Sequence, residues 1–182
     1  MKLSEISSAI IERARNIKLL VLDVDGVLTS GQLFFTNSGE ELKAFNSLDG
    51  HGIKMLQNSG VKVAIITGRK SQIVATRAAS LGIEILLQGR EDKLAALEEI
   101  RQEHAFELAE IAHMGDDHPD LPLIRSLGLG ISVDNAHWLV KQQAHWVSQF
   151  KGGEGAVREA CDLLMLAQGT FDESIKIYIN AT

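Results

Sequence analysis

The sequence predicts an α/β protein: a Rossmann-like three-layer sandwich with a mostly parallel sheet, helices on both faces and a protruding β-hairpin at about Gly31–Phe45. Three observations predict it. Short apolar runs recur at Leu19-Leu20-Val21-Leu22, Val61-Lys62-Val63-Ala64-Ile65-Ile66 and Ile85-Leu86-Leu87. Each is closed by a turn signal, as strands buried on both faces require. Helical stretches of roughly 10–15 residues separate the strands, which is the spacing of βαβ units. Between Gly31 and Phe45 the pattern changes: Gln32–Thr36 and Glu41–Phe45 flank Asn37-Ser38-Gly39-Glu40, a hairpin with a Gly-containing turn.

In chain order, Leu3–Arg15 places Ile6, Ala9, Ile10 and Ala14 at helical spacing and opens the chain with an amphipathic helix. The first strand follows and runs into Asp23-Val24-Asp25-Gly26. After the hairpin, Gly50–Asn58 reads as a helix that Asp49 precedes. The Val61 strand ends in Thr67-Gly68-Arg69, and helices over Ser71–Leu81 and Asp92–His104 flank the Ile85 strand. Ile111-Ala112-His113-Met114 leads into Gly115-Asp116-Asp117-His118-Pro119-Asp120, with a short helix over Leu121–Ser126. A strand at Gly130–Val133, a helix over Asn135–Gln142, an edge strand at His145-Trp146-Val147 and a strong helix over Glu154–Leu166 complete the pattern. With 182 residues, no repeat and no low-complexity linker, residues 1–182 are expected to form one domain. The closing segment 170–182 carries no assignable role.

Composition narrows the function. A formal charge of −6 argues against a nucleic-acid footprint, which needs a basic face. Any anionic substrate must instead be met by a few local Lys and Arg residues. The single Cys161 excludes an internal disulfide and sits in a helical pattern as a packed thiol. No apolar run approaches the roughly 18 residues of a membrane helix, and the polar start Met1-Lys2-Leu3-Ser4-Glu5 is not a secretory signal. The expected location is the cytoplasm.

The chemistry concentrates at strand ends, where open α/β sheets bind ligands. Asp23 and Asp25 end the first core strand, and carboxylates buried there need a metal, a proton or a hydrogen bond to compensate. Asp23 is the expected nucleophile, attacking phosphorus to make an aspartyl-phosphate. Asp25 would protonate the departing alkoxide and then activate water, so the two acids need different protonation states. Asp116 is the expected further metal ligand in an oxygen-rich Mg²⁺ site. Asp117 and Asp120 are expected behind it, orienting water or Asp116. Thr67, Gly68 and Lys93 are expected to bind the transferring phosphoryl group, since such reactions depend on positioning and charge stabilisation. Arg69 and Arg77 are candidates for a second anionic group on the substrate.

The order Asp-x-Asp, Thr, Lys, Gly-Asp-Asp-x-x-Asp resembles the four motifs of the haloacid dehalogenase-like superfamily of aspartate-nucleophile phosphatases. The resemblance implies the same roles for Asp23 and Asp25, with the Asp25 carbonyl also on the metal. The intervals between motifs leave no room for a cap domain. The hairpin, Phe45-Asn46-Ser47-Leu48-Asp49-Gly50-His51-Gly52-Ile53 and Gly152-Gly153-Glu154-Gly155-Ala156-Val157-Arg158-Glu159 are similar to the capless 3-deoxy-D-manno-octulosonate 8-phosphate phosphatase family. That likeness implies a phosphorylated sugar acid as substrate, Mg²⁺ as cofactor, a tetramer and a place in lipopolysaccharide precursor synthesis. It also makes Arg158 a candidate for the substrate carboxylate, against a helix-surface ion pair. A two-stranded hairpin is marginal in water, so Leu33, Phe35, Leu42 and Phe45 are expected to be buried against another copy of the chain. Two other readings are a phosphatase for a nine-carbon sialic-acid-type phosphate and a phospho-accepting receiver domain. A receiver carries its phosphorylated Asp on a later strand, and no lone Asp ends a strand between Asp25 and Thr67.

Overall fold

The computed structural model describes residues 3–179. Its main sheet has six strands, all parallel: β1 (Leu19–Leu22), β4 (Lys62–Thr67), β5 (Ile85–Gln88), β6 (Ile111–Gly115), β7 (Leu129–Ser132) and β8 (Trp146–Val147). The intervening β2 (Phe34–Phe35) and β3 (Glu41–Leu42) form a separate antiparallel pair, with Phe34 opposite Leu42. The main order is β5-β4-β1-β6-β7-β8. It places β1 between β4 and β6, with Leu22 level with Ile65 on one side and Met114 on the other. The strand carrying Asp23 is therefore held on both edges.

All four β1 residues are buried, and their alternation feeds two cores. Leu19 and Val21 pack with Ala64 and Ile66 of β4 and Ile111 of β6, beneath α4 (Lys93–His104) and α5 (Leu121–Ser126). Leu20 and Leu22 pack on the other face with α1 (Ser8–Arg15), α2 (Ser47–Asn58), α3 (Gln72–Leu81) and α7 (Ala156–Gln168). Burial of a Leu, Val or Ile contributes about 1.5–3 kcal/mol each. Nine residues of α7 are buried, which explains its strong signal in the sequence. The remaining helices are α6 (Trp138–Gln143) and α8 (Phe171–Ile179).

Several boundaries differ from expectation for identifiable reasons. The first α-helix starts at Ser8 because the Ser7 hydroxyl caps it, accepting from the Ile10 amide; Leu3–Glu5 form a separate 3₁₀ turn and Ala9 is exposed. Asn46 caps α2, accepting from the Leu48 amide, so the helix begins at Ser47 and Asp49 lies inside it. Buried Asp49 accepts the Arg158 amide at 2.8 Å, fixing α2 to the first turn of α7. The last predicted helix shifts to 156–168, ending at Gly169. Of the unassigned segment 170–182, Phe171–Ile179 forms α8, and 180–182 lie outside the described residues.

The hairpin departs most from expectation. Its strands are two residues long, and Leu33 (45%), Phe35 (60%) and Leu42 (58%) are exposed in the single chain. Only Phe45 of the predicted apolar set packs against the core. Among the described residues no helix is long and apolar enough to cross a membrane.

Candidate active site

Asp23 leaves β1 with its amide bonded to the Met114 carbonyl of β6 at 3.1 Å. The chain then turns on itself: the Val27, Leu28 and Thr29 amides all converge on the Val24 carbonyl. The buried Thr29 hydroxyl secures the turn, donating to Val24 and accepting from the Gly26 and Gly31 amides. Gly26 sits where a Cβ would come within 2.1 Å of an Asp116 carboxylate oxygen. A side chain there would displace the Asp116 carboxylate and sit on a left-handed backbone (φ +102°) that favours glycine. From the far end of the chain, Gly152 and Gly153 close over this turn. The Gly153 amide donates to the Val27 carbonyl at 2.9 Å, and Asn46 donates to the Gly153 carbonyl at 3.2 Å.

Lys93, the first residue of α4, is buried with its ammonium between two carboxylates. It lies 2.8 Å from Asp23 Oδ1 and 2.5 Å from Asp120 Oδ1. Asp92 caps the helix and so fixes where Lys93 points. Burial opposes a charged lysine, but Asp23 and Asp120 outweigh it and raise the Lys93 pKa. Burial also pushes the Asp23 carboxyl up, against the pull of Lys93. Asp120 is the hub. Its Oδ1 accepts from Lys93 and from His113 Nε2 (2.8 Å), and its Oδ2 accepts from the Asp116 and Asp117 amides at 3.1 and 3.3 Å. Burial would raise it, yet the His113 and Lys93 bonds hold it well below the ordinary range.

Oxygens of Asp23, Asp116 and Asp120 lie within 4.8 Å of one another. Burial, with Asp23 and Asp120 close by, pushes Asp116 up to about 7. This is a carboxylate cluster short of positive charge, with all-oxygen donors, and it fits a hard divalent cation. Both Asp120 oxygens are already engaged by donors, so Asp23 and Asp116 are the carboxylates with capacity left for an ion.

The other candidate residues separate clearly. Thr67 is buried at the end of β4, beside β1, and its hydroxyl accepts the Arg69 amide at 3.5 Å; Gly68 follows with open space where a Cβ would stand. Arg69 reaches the site, with its Nε 3.9 Å from Asp25 Oδ2 and Nη2 2.7 Å from Glu41. Arg77 instead lies over the Phe45 ring at 5.7 Å and donates to the Asn46 carbonyl at 3.3 Å. Arg158 pairs with Asp162 one turn along α7 at 2.8 Å. The exposed Asp117 side chain caps the turn over His118–Asp120, and Asp117 and Asp120 bond reciprocally, side chain to backbone amide in each direction.

Two residues of the site were not singled out from the sequence. His113 is fully buried on β6, level with Val21 and so on the Asp23 face of the sheet. Its signal was a lone imidazole inside an apolar strand. Lys43 of the hairpin stem bonds Asp25 Oδ1 and lies 3.3 Å from Glu41. Its signal was the alternation of Glu41, Lys43 and Phe45 with Leu42 and Ala44, which faces the charges inward.

Known proteins share this fold and much of this sequence. The profile of the haloacid dehalogenase-like hydrolases matches residues 73–159. The chain is 48% identical over 169 residues to 3-deoxy-D-manno-octulosonate 8-phosphate phosphatase KdsC of Escherichia coli K12, covering 93% of this chain and 90% of that one. A crystal structure of the phosphatase of the same name from Yersinia pestis superposes with a TM-score of 0.90 at 46% identity, covering 92% and 90% of the two chains. The Moraxella catarrhalis phosphatase, solved with magnesium, phosphate and KDO, superposes with a TM-score of 0.91 at 43% identity, covering 93% and 97%. The chain belongs to the 3-deoxy-D-manno-octulosonate 8-phosphate phosphatase family of haloacid dehalogenase-like hydrolases.

Proposed function

We propose that this protein is a Mg²⁺-dependent phosphomonoesterase that hydrolyses 3-deoxy-D-manno-octulosonate 8-phosphate in lipopolysaccharide precursor synthesis. The observation that carries the reading is the buried Lys93 ammonium bridging Asp23 and Asp120 at the carboxyl end of the central strands. Lys93 is placed to neutralise an attacking carboxylate and an arriving phosphoryl oxygen together. Thr67 and the amides of Gly68 and the Asp25 loop donate to the remaining phosphoryl oxygens. An Asp23 oxygen attacks phosphorus, the bond to the sugar oxygen breaks, and Asp25 gives that oxygen its proton. Asp25 then takes a proton from the water that cleaves the aspartyl-phosphate, which restores Asp23 and releases inorganic phosphate. Asp23, Asp116 and the Asp25 carbonyl would hold the Mg²⁺, which offsets like-charge repulsion between nucleophile and phosphate. Asp120 fixes the Asp116 and Asp117 amides and so sets the direction of the Asp116 carboxylate.

Arg69 is the nearest guanidinium for the sugar-acid carboxylate. Arg77 and Arg158 are engaged elsewhere within one chain and would need to be redirected by substrate or by a neighbouring copy. Residues 1–182 act as one domain, and the exposed apolar tip of the hairpin supports a homo-oligomer, taken as a tetramer in which hairpins cover one another. A single buried Cys161, whose thiol burial pushes above its ordinary range, suits a reducing cytoplasm.

Phosphate release with Mg²⁺ tests the reading. We expect 3-deoxy-D-manno-octulosonate 8-phosphate to be turned over faster than a nine-carbon sialic-acid-type 9-phosphate or a hexose 6-phosphate. Equal, slow turnover of all three would overturn the substrate and leave the mechanism. Asp23→Asn should abolish release while far-UV circular dichroism stays unchanged; retained activity would overturn the nucleophile.

A further inference from the structure

The hairpin carries an inversion that oligomerisation does not explain. Its apolar residues Phe34, Phe35 and Leu42 are exposed, whereas the Lys43 side chain is only 2% exposed. Lysine is almost never buried unless it is paired, because desolvating the ammonium is costly. The compensation here is specific. Lys43 bonds Asp25 Oδ1 and lies 3.3 Å from Glu41, while Glu41 accepts from Arg69 at 2.7 Å. Arg69 in turn stands 3.9 Å from Asp25 Oδ2. Acid and base alternate around a closed ring: Lys43 donates to Asp25 Oδ1, which accepts in either protonation state, and Oδ2, with Arg69 no nearer than 3.9 Å, is left to carry the transferred proton.

We propose that Lys43 is a positioning residue for the proton-transfer group Asp25, with Glu41 as its anchor and Arg69 closing the ring; this rests on the phosphatase reading above. The Asp23 backbone is held by β6, but the Asp25 side chain is half-buried and leaves the sheet at a turn. Nothing in that turn fixes the carboxylate, because the Thr29 hydroxyl is occupied by backbone. The hairpin supplies the missing constraint from outside the sheet. One face of the hairpin aims the acid, and the other meets solvent or a neighbouring chain.

The proposal makes a prediction about leaving groups. When the ester bond to phosphorus breaks, an alkoxide must receive a proton from Asp25, whereas a nitrophenolate leaves without one. The value of kcat/KM reports the steps through departure of the leaving group. In Lys43→Met, kcat/KM for a sugar phosphate should fall roughly 10- to 100-fold, a part of the 10²–10⁴-fold that a general acid supplies. For p-nitrophenyl phosphate it should fall no more than a few-fold. Lys43→Arg should recover part of the sugar-phosphate loss. Glu41→Gln, which keeps the ammonium and removes its anchor, should give a smaller loss with the same preference for the alkyl ester. A melting curve on each variant separates misfolding from mispositioning. Equal losses on alkyl and aryl esters, or no loss on either, would overturn the role of Lys43. A wild-type protein that hydrolyses hexose 6-phosphate as well as the sugar acid would sink only the substrate assignment, because the alkyl-to-aryl comparison would still stand.

Discussion

Replacing Gly152 by alanine should damage the protein far more than one added methyl group suggests. A Cβ at that position would lie 1.7 Å from the Gly26 carbonyl oxygen, 2.5 Å from its carbon and 3.0 Å from the Val27 nitrogen. All three are main-chain atoms of the turn that holds Asp25, so no side chain can rotate away to relieve the contact. Overpacking of this kind costs about 1–3 kcal/mol. If the segment lifts instead, it loses the bonds from Gly152 to Asn135, from Gly153 to Val27 and from Asn46 to Gly153. Each is worth on the order of 1 kcal/mol. Because the two routes are alternatives of similar cost, destabilisation is about 3 kcal/mol, or a fall in Tm of roughly 6–12 °C for a chain of this size. The comparison is Gly169→Ala at the end of α7, where a Cβ meets nothing within 4 Å and only the left-handed backbone (φ +71°) is strained. That change should cost about 1 kcal/mol. Thermal melts of both variants with Mg²⁺, alongside phosphate release, give the ranking. A Gly152→Ala protein that melts within 2–3 °C of wild type, a margin on the order of 1 kcal/mol, with full turnover would refute the claim that this segment braces the turn.

Two further predictions follow from the charges and from the hairpin. Asp116 is raised from an ordinary value of 3.8 to about 7 in the metal-free protein, so the folded state binds this proton more tightly than the unfolded chain does. Its contribution to stability is complete below about pH 4 and is lost as pH rises through about 7. Melting in EDTA should therefore show this loss between about pH 4 and 7 and level off above it, while added Mg²⁺, which favours the ionised form, should offset it; a flat profile across that range would contradict the placement of Asp116. The proposed homo-oligomer should give way to monomers by light scattering in Phe35→Glu, a change on the exposed strand β2, and a variant with the same oligomeric mass as the unaltered protein would exclude the hairpin as the interface.

The fold was legible where burial dominates. β1, β4 and α7 are nearly continuous apolar signals, and each emerges close to its expected position. Boundaries were less legible because caps decide them: Asn46 starts α2 early, and Asp92, expected as the first residue of α4, caps it instead. The acidic and basic residues around Asp23 could be read from strand ends and motif order. The connections between them could not, because Asp120 works by accepting from four donors on three segments. Lys43 and His113 show the limit most clearly. A lysine in a surface hairpin and a histidine in a core strand each have an ordinary explanation, and only the third dimension brings them to Asp25 and Asp120. The hairpin's apolar residues Leu33, Phe35 and Leu42 were expected to be covered by another copy of the chain, and the single chain leaves them exposed.

The contact between Gly152-Gly153 and the Gly26 turn also sets a temporal order. During translation, every acidic residue of the centre, from Asp23 through Asp120, has been synthesised before the brace that fixes the turn exists. A nascent or truncated chain ending short of Gly152 would thus hold every acidic residue of the site with the Asp25 turn unbraced. Competence to cleave phosphate esters would arrive late in biogenesis, after most of the sheet is in place.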